Sequence, residues 1–463
     1  MRPKITVVGG GFKGIVAAKY LADQGVDTVL IEQGRNLGGV HFSIPWDGFQ
    51  LDLGCHLFSN EDNRTTQLLF DLLGEEPVGI NPLLKSIYQG KETHGIEYPD
   101  FTSLPSEQVA DCLVDLLEHV AEKQFAILDK PTLERNLASY LVGRYGAKVA
   151  DLLNRALEKM LLTDAKELSS VAFSAIPARR ISLVNAELAS LLKTVPLLDE
   201  LILKSSSDDP MKYVRDKASG FDCRCFYPAN GGMGAFSSAS RQHLADIGVT
   251  IKTETSIDKI EKIGAQRINL KLADSEELAC DYVFWTSGSQ TLSDTLGLNI
   301  DLSEHIHLVA MVIFYFDVPQ NSIGPYSWIQ NFDRDDLVYR ASAPSAFGNG
   351  TAPEGRAYVA AEITTGHDSD IYLNPESYVH RVWQEVVKLG VSEGDMPDHY
   401  KIIKTPVSYK FPKASFAQAV AGLNDHLNDY PGLRLFDEWI FGKSASVNEI
   451  VTAIDTMKIL GDC

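Results

Sequence analysis

The chain has 463 residues, more than one hydrophobic core ordinarily serves, so two lobes sharing a cleft are expected. Its 44% hydrophobic and 22% charged residues, with 35 Gly and 20 Pro, exclude a disordered or fibrous protein. A formal charge of -20 repels phosphate backbones and anionic lipid, which argues against nucleic acid and membrane partners and leaves a small-molecule substrate.

In chain order, MRPKITVVGGG passes straight into a strand with no charged-then-apolar leader, and a cytoplasmic location is expected. Residues 4 to 34 read as strand (ITVVG), glycine turn, helix (FKGIVAAKYLADQG) and strand (DTVLIEQG), the order of a parallel sheet with a crossover helix. From about 105 to 205 the apolar residues recur every three or four positions, which predicts amphipathic helices capping the sheet. The polar stretch at 205 to 222 reads as a surface loop or lid. The stretch from Gly234 to Ile263 predicts helix, glycine stop and two strands, and DYVFWTSG a further buried strand. LVAMVIFYF at 308 to 316 is far short of the roughly 20 residues of a membrane span and reads as a buried strand. Residues 305 to 365 alternate in strand fashion, and the last forty predict a strand (GLRLFD), a loop and a helix (SVNEIVTAIDTMKIL).

The six cysteines are scattered, as in a reducing compartment, and the Cys223/Cys225 pair lacks a second pair of metal ligands, so no metal is expected.

The chemistry begins with Gly9, Gly11 and Gly14, a G-x-G-x-x-G between a strand and a helix, with Glu32 ending the next strand. Such glycines let a pyrophosphate approach the backbone, the helix amino terminus presents its N–H groups, and the carboxylate accepts ribose hydroxyls. Glu32 also disfavours a 2′-phosphate. These four residues point to a dinucleotide, whether NAD or FAD.

Q-G-R-N-L-G-G-V follows Glu32, and DLGCHLF stands at 52 to 58. With these the sequence resembles the flavin amine oxidase, protoporphyrinogen oxidase-like and UDP-galactopyranose mutase-like superfamily. The resemblance implies an α/β fold: a Rossmann-type FAD-binding domain, glutathione reductase-like, with an interleaved α+β substrate domain and a helical insertion. The expected division is an FAD-binding lobe at 1–75, a helical insertion and substrate lobe at 76–225, a second FAD-binding part at 226–300, the substrate sheet at 301–420 and a final FAD-binding part at 421–463. FAD is the implied cofactor. Arg35, Gly38 and Gly39 match the family's Arg-x-x-Gly-Gly turn at the adenosine and pyrophosphate end, and Gly54 and His56 match a Gly-x-His-x-Phe segment beside the flavin ring. A histidine there orients the cofactor or shuttles a proton.

FYPANGGMGAF at 226 to 236 is similar to a Tyr-Pro-x-Gly-Gly-Met-Gly turn of these relatives, where Gly231, Gly232 and Gly234 allow close approach to ring or substrate; a helix-leading turn is the alternative. Ile257 fits a strand whose backbone meets adenine. Arg340 in VYRAS and Tyr409 in VSYKFP resemble mutase positions that hold a nucleotide sugar, and a guanidinium suits a diphosphate or carboxylate. In LFDEWIFGKSASVNEI, Asp437 corresponds to an acidic residue near the ribityl chain, and the Ser446 and Val447 amides would face the flavin pyrimidine. Phe436 replaces the usual glycine, and the mutases' diphosphate-gripping arginine is absent from F-D-E-W, which weakens the mutase expectation. The favoured expectation is therefore an FAD-dependent oxidoreductase acting on a small polar substrate. The alternatives are a mutase working without net redox on a nucleotide-linked sugar, and a flavin-free scaffold of the same fold.

Overall fold

Strand Lys4–Val8 sits inside a parallel sheet, paired on one side with Asp27–Ile31 and on the other with Tyr282–Trp285. Thr250–Lys252 joins one flank and Leu433–Leu435 the other, so strands from three distant stretches complete one layer. The computed structural model describes residues 3–60, 63–123, 130–203, 221–264, 267–436 and 447–456. β-Branched residues fill the strand cores, and helix Phe12–Asp23 covers them with Ile15, Val16, Ala17, Ala18 and Leu21, all with no exposure. Lys19 of that helix is buried too, and its ammonium is partnered by Asp23 at 2.7 Å and Asp71 at 3.1 Å. A buried cation persists only when so paired.

The second layer is a seven-stranded sheet, in order Tyr400–Pro412, Ile306–Pro319, Arg356–Thr365, Arg340–Ser342, Trp328–Asn331, Leu84–Tyr88 and Lys91–His94. Its pairings are antiparallel except that of Trp328–Asn331 with Leu84–Tyr88. The strand Ile306–Pro319 explains the long apolar run: it is covered on both faces. Val309, Met311, Ile313 and Tyr315 point toward the helical block, while Val312, Phe314 and Phe316 pack with Val382, Trp383 and Val386 of helix Val379–Leu389. Each such buried side chain stabilises by about 1.5–3 kcal/mol, and the period of two decides which core it joins.

The stretch with helical spacing forms helices Ser106–Glu122, Leu137–Tyr145, Ala147–Leu161, Ala186–Leu192 and Pro196–Leu201. Asn136 and Asn185 cap two of them, accepting from the Ser139 and Leu188 amides. Instead of capping the parallel sheet, this block packs on the seven-stranded one. The region between 76 and 225 also supplies the strands Val78–Ile80, Leu84–Tyr88 and Lys91–His94, whose short alternations are masked in the sequence by the surrounding turns. The expected loop at 205–222 falls almost wholly outside the described residues. No described helix is long and apolar enough to cross a membrane.

Candidate functional site

The glycine turn sets one end of the site. Gly9 has φ +105°, and a Cβ at Gly14 would lie 1.8 Å from the Gly9 carbonyl oxygen, so the helix seats on the strand only if residue 14 has no side chain. At Gly11 the situation is reversed: a Cβ would meet nothing nearer than the Gly39 Cα at 3.9 Å. That space opens into a cavity of about 570 Å³ lined by Gly11, Phe12, Gly38 and Gly39. Helix Phe12–Asp23 has no side-chain cap at Gly11, which leaves its first-turn amides available to an anion. The Gly38 amide donates to the Gly10 carbonyl at 2.7 Å and thereby lays the Arg35-to-Gly39 turn over the glycine turn.

Glu32 accepts from the Gly10 and Gly34 amides, each at 2.6 Å. These bonds fix its carboxylate at the turn, and its remaining lone pairs can still accept hydroxyls. The Glu254 amide bonds to the Gly34 carbonyl and the Thr255 amide to that of Glu32, so the segment leading to Ile257 passes beside Glu32; Ile257 opens strand Ile257–Ile263. Arg35 is exposed and does not line the cavity. Asp437 and Ser446 lie outside the described residues. Val447 opens helix Val447–Thr456, which is tied to helix Phe12–Asp23 by a hydrogen bond from the Tyr20 hydroxyl to Asp455. An open glycine-lined approach, an uncapped helix terminus and a positioned carboxylate are what a dinucleotide needs, and the residues present fit FAD.

The same cavity reaches the seven-stranded sheet. His56, Arg340 and Tyr409 all line it, so three residues far apart in sequence meet at one cavity. Arg340 is engaged already: its Nε and Nη2 donate to the two oxygens of Glu362 at 2.7 and 2.6 Å, a bidentate pair. The Cys55 amide also donates to Glu362, at 3.3 Å. Tyr409 is buried, hydrogen-bonded to Tyr339 and stacked on Phe411 at 5.8 Å. The expectation of an open guanidinium fork for a diphosphate therefore meets a fork occupied by a carboxylate within the chain.

His56 faces His41, ring centroids 5.6 Å apart, and His41 stacks on Phe58 at 5.3 Å. Burial pushes the His41 pKa down to about 4, against a weaker opposing effect of the Gly38 carbonyl 3.3 Å from its Nδ1. His41 is thus neutral near pH 7 and adds no positive charge beside His56.

The glycines of FYPANGGMGAF do not line the cavity. Their close approach is to Asp52 and Ser43: a Cβ at Gly232 would lie 2.8 Å from Asp52 Oδ1, and one at Gly234 would lie 3.1 Å from Ser43 Oγ. Asp52, wholly buried, accepts from the Ser43 hydroxyl at 2.6 Å, the Met233 amide at 3.0 Å and the Tyr227 hydroxyl, while its backbone bonds to the hydroxyls of Tyr315 and Tyr358. Burial raises its pKa to about 6 in spite of these three donors. Glu362, Asp52 and His41 were not singled out in the sequence. Glu362 had a signal, a lone carboxylate in the apolar run Ala357–Ile363; Asp52 directly precedes the Gly54 motif, but nothing local marks it as buried.

A family model described as flavin containing amine oxidoreductase matches residues 14–431. Carotenoid 3,4-desaturase of Haloarcula japonica is 41% identical over 73 residues, which is 16% of this chain and only 14% of that protein. A solved structure of reduced UDP-galactopyranose mutase superposes with a TM-score of 0.69 at 15% identity, covering 99% of this chain and 98% of that one. Putrescine oxidase bound to putrescine gives 0.63 at 15% identity, with 99% of each chain covered. At these identities the likeness to the solved structures is one of fold.

Proposed function

The chain belongs to the flavin-containing amine oxidoreductase family, and on that premise we propose that it is an FAD-dependent oxidoreductase whose substrate enters the cavity against the Arg340, Glu362 and Tyr409 wall. One observation carries this reading: a single cavity runs from the open glycine turn at Gly11 and Gly39 to that wall, passing His56. When bound, FAD supplies the two-electron acceptor. The chain's residues do the rest. The first-turn amides after Gly11 receive the pyrophosphate, Glu32 takes ribose hydroxyls, and Gly38 with Gly39 keeps side chains out of the way. His56 is placed to hold or pass a proton.

The mutase alternative loses support where Arg340 is concerned, since its fork is closed on Glu362. The visible spectrum of the purified protein is the first test, followed by anaerobic mixing with amine and alkene substrates. Flavin that bleaches with substrate is the expected result. A protein that neither carries nor takes up FAD overturns the proposal, and isomerisation of a nucleotide sugar only after dithionite reduction selects the mutase instead.

A further inference from the structure

We propose that the Arg340–Glu362 pair makes the cavity select a mostly apolar molecule bearing one uncharged hydrogen-bond acceptor, with Glu362 as the residue that rejects anions. The proposal rests on the reading above in taking this cavity as the substrate site, and it names the substrate class more closely than the small polar molecule expected from sequence.

The lining around the pair comes from the short helix Ser170–Ala175 and from two strands of the pair's own sheet, with Ile313 directly in register with Glu362. Val171, Ala172, Ala175, Met311, Ile313 and Val407 give it an apolar surface. Val40 and Val407, at 54% and 38% exposure, carry that character to solvent. Ser174, Thr405 and Ser408 interrupt that surface, so a polar substrate recovers only part of the hydration it loses here.

Charge at the centre of the wall is balanced internally. Glu362 has a side-chain exposure of 1% and Arg340 of 17%, and their bidentate contact joins one negative and one positive group. A guanidinium carries five N–H donors, of which Glu362 occupies two. Arg340 makes no other hydrogen bond among the described residues, so donors remain for a carbonyl, ether or hydroxyl oxygen or an uncharged amine nitrogen. A carboxylate or phosphate in the same place would be buried against Glu362, sharing a cation already neutralised, and like charges in a dry site repel strongly. A protonated amine would meet the guanidinium itself, a like charge. Lys13 and Lys410 also line the cavity, and each already interacts with another group.

The test uses the full-length, FAD-loaded protein and four eight-carbon probes: octan-2-one, octan-1-ol, octylamine and octanoate. Binding is read by calorimetry and by perturbation of the flavin spectrum. Octan-2-one is expected to bind at least about tenfold more tightly than octanoate, and Glu362→Gln to tighten octanoate by about tenfold while moving octan-2-one less than about threefold. Octanoate binding the unaltered protein as tightly as octan-2-one overturns the proposal, as does a folded Glu362→Gln protein with unchanged octanoate affinity. If the Gln variant does not fold, the affinity of octan-2-one relative to octanoate on the unaltered protein decides alone. Flavin content is measured on the same preparations. Loss of FAD counts against the flavoenzyme reading, whereas a wrong probe ranking, measurable by calorimetry without flavin, counts against this proposal only.

Discussion

Gly54 and Glu362 touch: a Cβ at Gly54 would lie 2.7 Å from both the Glu362 carboxylate carbon and its Oε2. Gly54 also has φ +81°, a conformation that side chains resist. The bare backbone at residue 54 is therefore what admits the carboxylate that in turn holds Arg340. Gly54→Ala is expected to destabilise the protein by about 2–4 kcal/mol, from backbone strain and the displaced pair together. Denaturant unfolding reads this directly; a variant as stable as its parent would show that the contact yields without cost.

The glycine turn makes opposite predictions at two positions. Gly11→Val places its side chain in open space, so the FAD-free protein should fold with an unchanged melting temperature yet lose bound flavin. Gly14→Ala drives a Cβ into the Gly9 carbonyl and should prevent folding of the parallel-sheet layer. Flavin content and circular dichroism of the two proteins separate these outcomes. Equal flavin content in Gly11→Val and its parent would remove the cofactor site from this turn.

Two buried groups oppose one another in acid. Asp52 holds a proton more tightly in the folded state, with a pKa of about 6 against an ordinary 3.8, so its contribution to stability is greatest below pH 4 and is lost as pH rises through 6. For His41, depressed from 6.5 to about 4, stability is present above 6.5 and is lost as pH falls toward 4. The Asp52 contribution is on the order of 3 kcal/mol, at 1.36 kcal/mol per pKa unit. Asp52→Asn should therefore gain stability relative to the parent as pH is raised from 4 to 7, whereas His41→Phe should gain as pH is lowered over the same range. Melting temperatures of the three proteins across this window check both slopes, and parallel curves would contradict both assignments.

Removing the candidate proton carrier tests chemistry apart from folding. His56→Ala is expected to retain FAD and to lower turnover by about 10²-fold, with a flattened pH profile. Turnover within a fewfold of the parent, at full flavin content, would make His56 a packing partner of His41 and nothing more.

That Gly9, Gly11, Gly14 and Glu32 meet at one turn was legible because the arrangement is local: one strand, one helix and one further strand join them, so spacing alone brings them together. The other wall was legible only in part. Arg340 and Tyr409 were found, but the partner that changes what Arg340 can do lies 22 residues on, in the neighbouring strand, where Arg340 and Glu362 are in register. Pairing register is set by the sheet, and a sequence read along its length does not show it. Asp52 is a sharper case. Its donors come from residues 43, 227 and 233, and each looks ordinary until the fold closes around one carboxylate.

The parallel sheet has a consequence for how the chain is made. Lys4–Val8 has one partner close by in Asp27–Ile31, but its other partner, Tyr282–Trp285, lies far downstream, and that strand in turn pairs with the still later Leu433–Leu435. During synthesis one edge of Lys4–Val8 thus stays open to other chains until Tyr282–Trp285 emerges. Such distant pairing makes for slow folding, so yield should respond to growth temperature and chaperone supply before it responds to any single side chain.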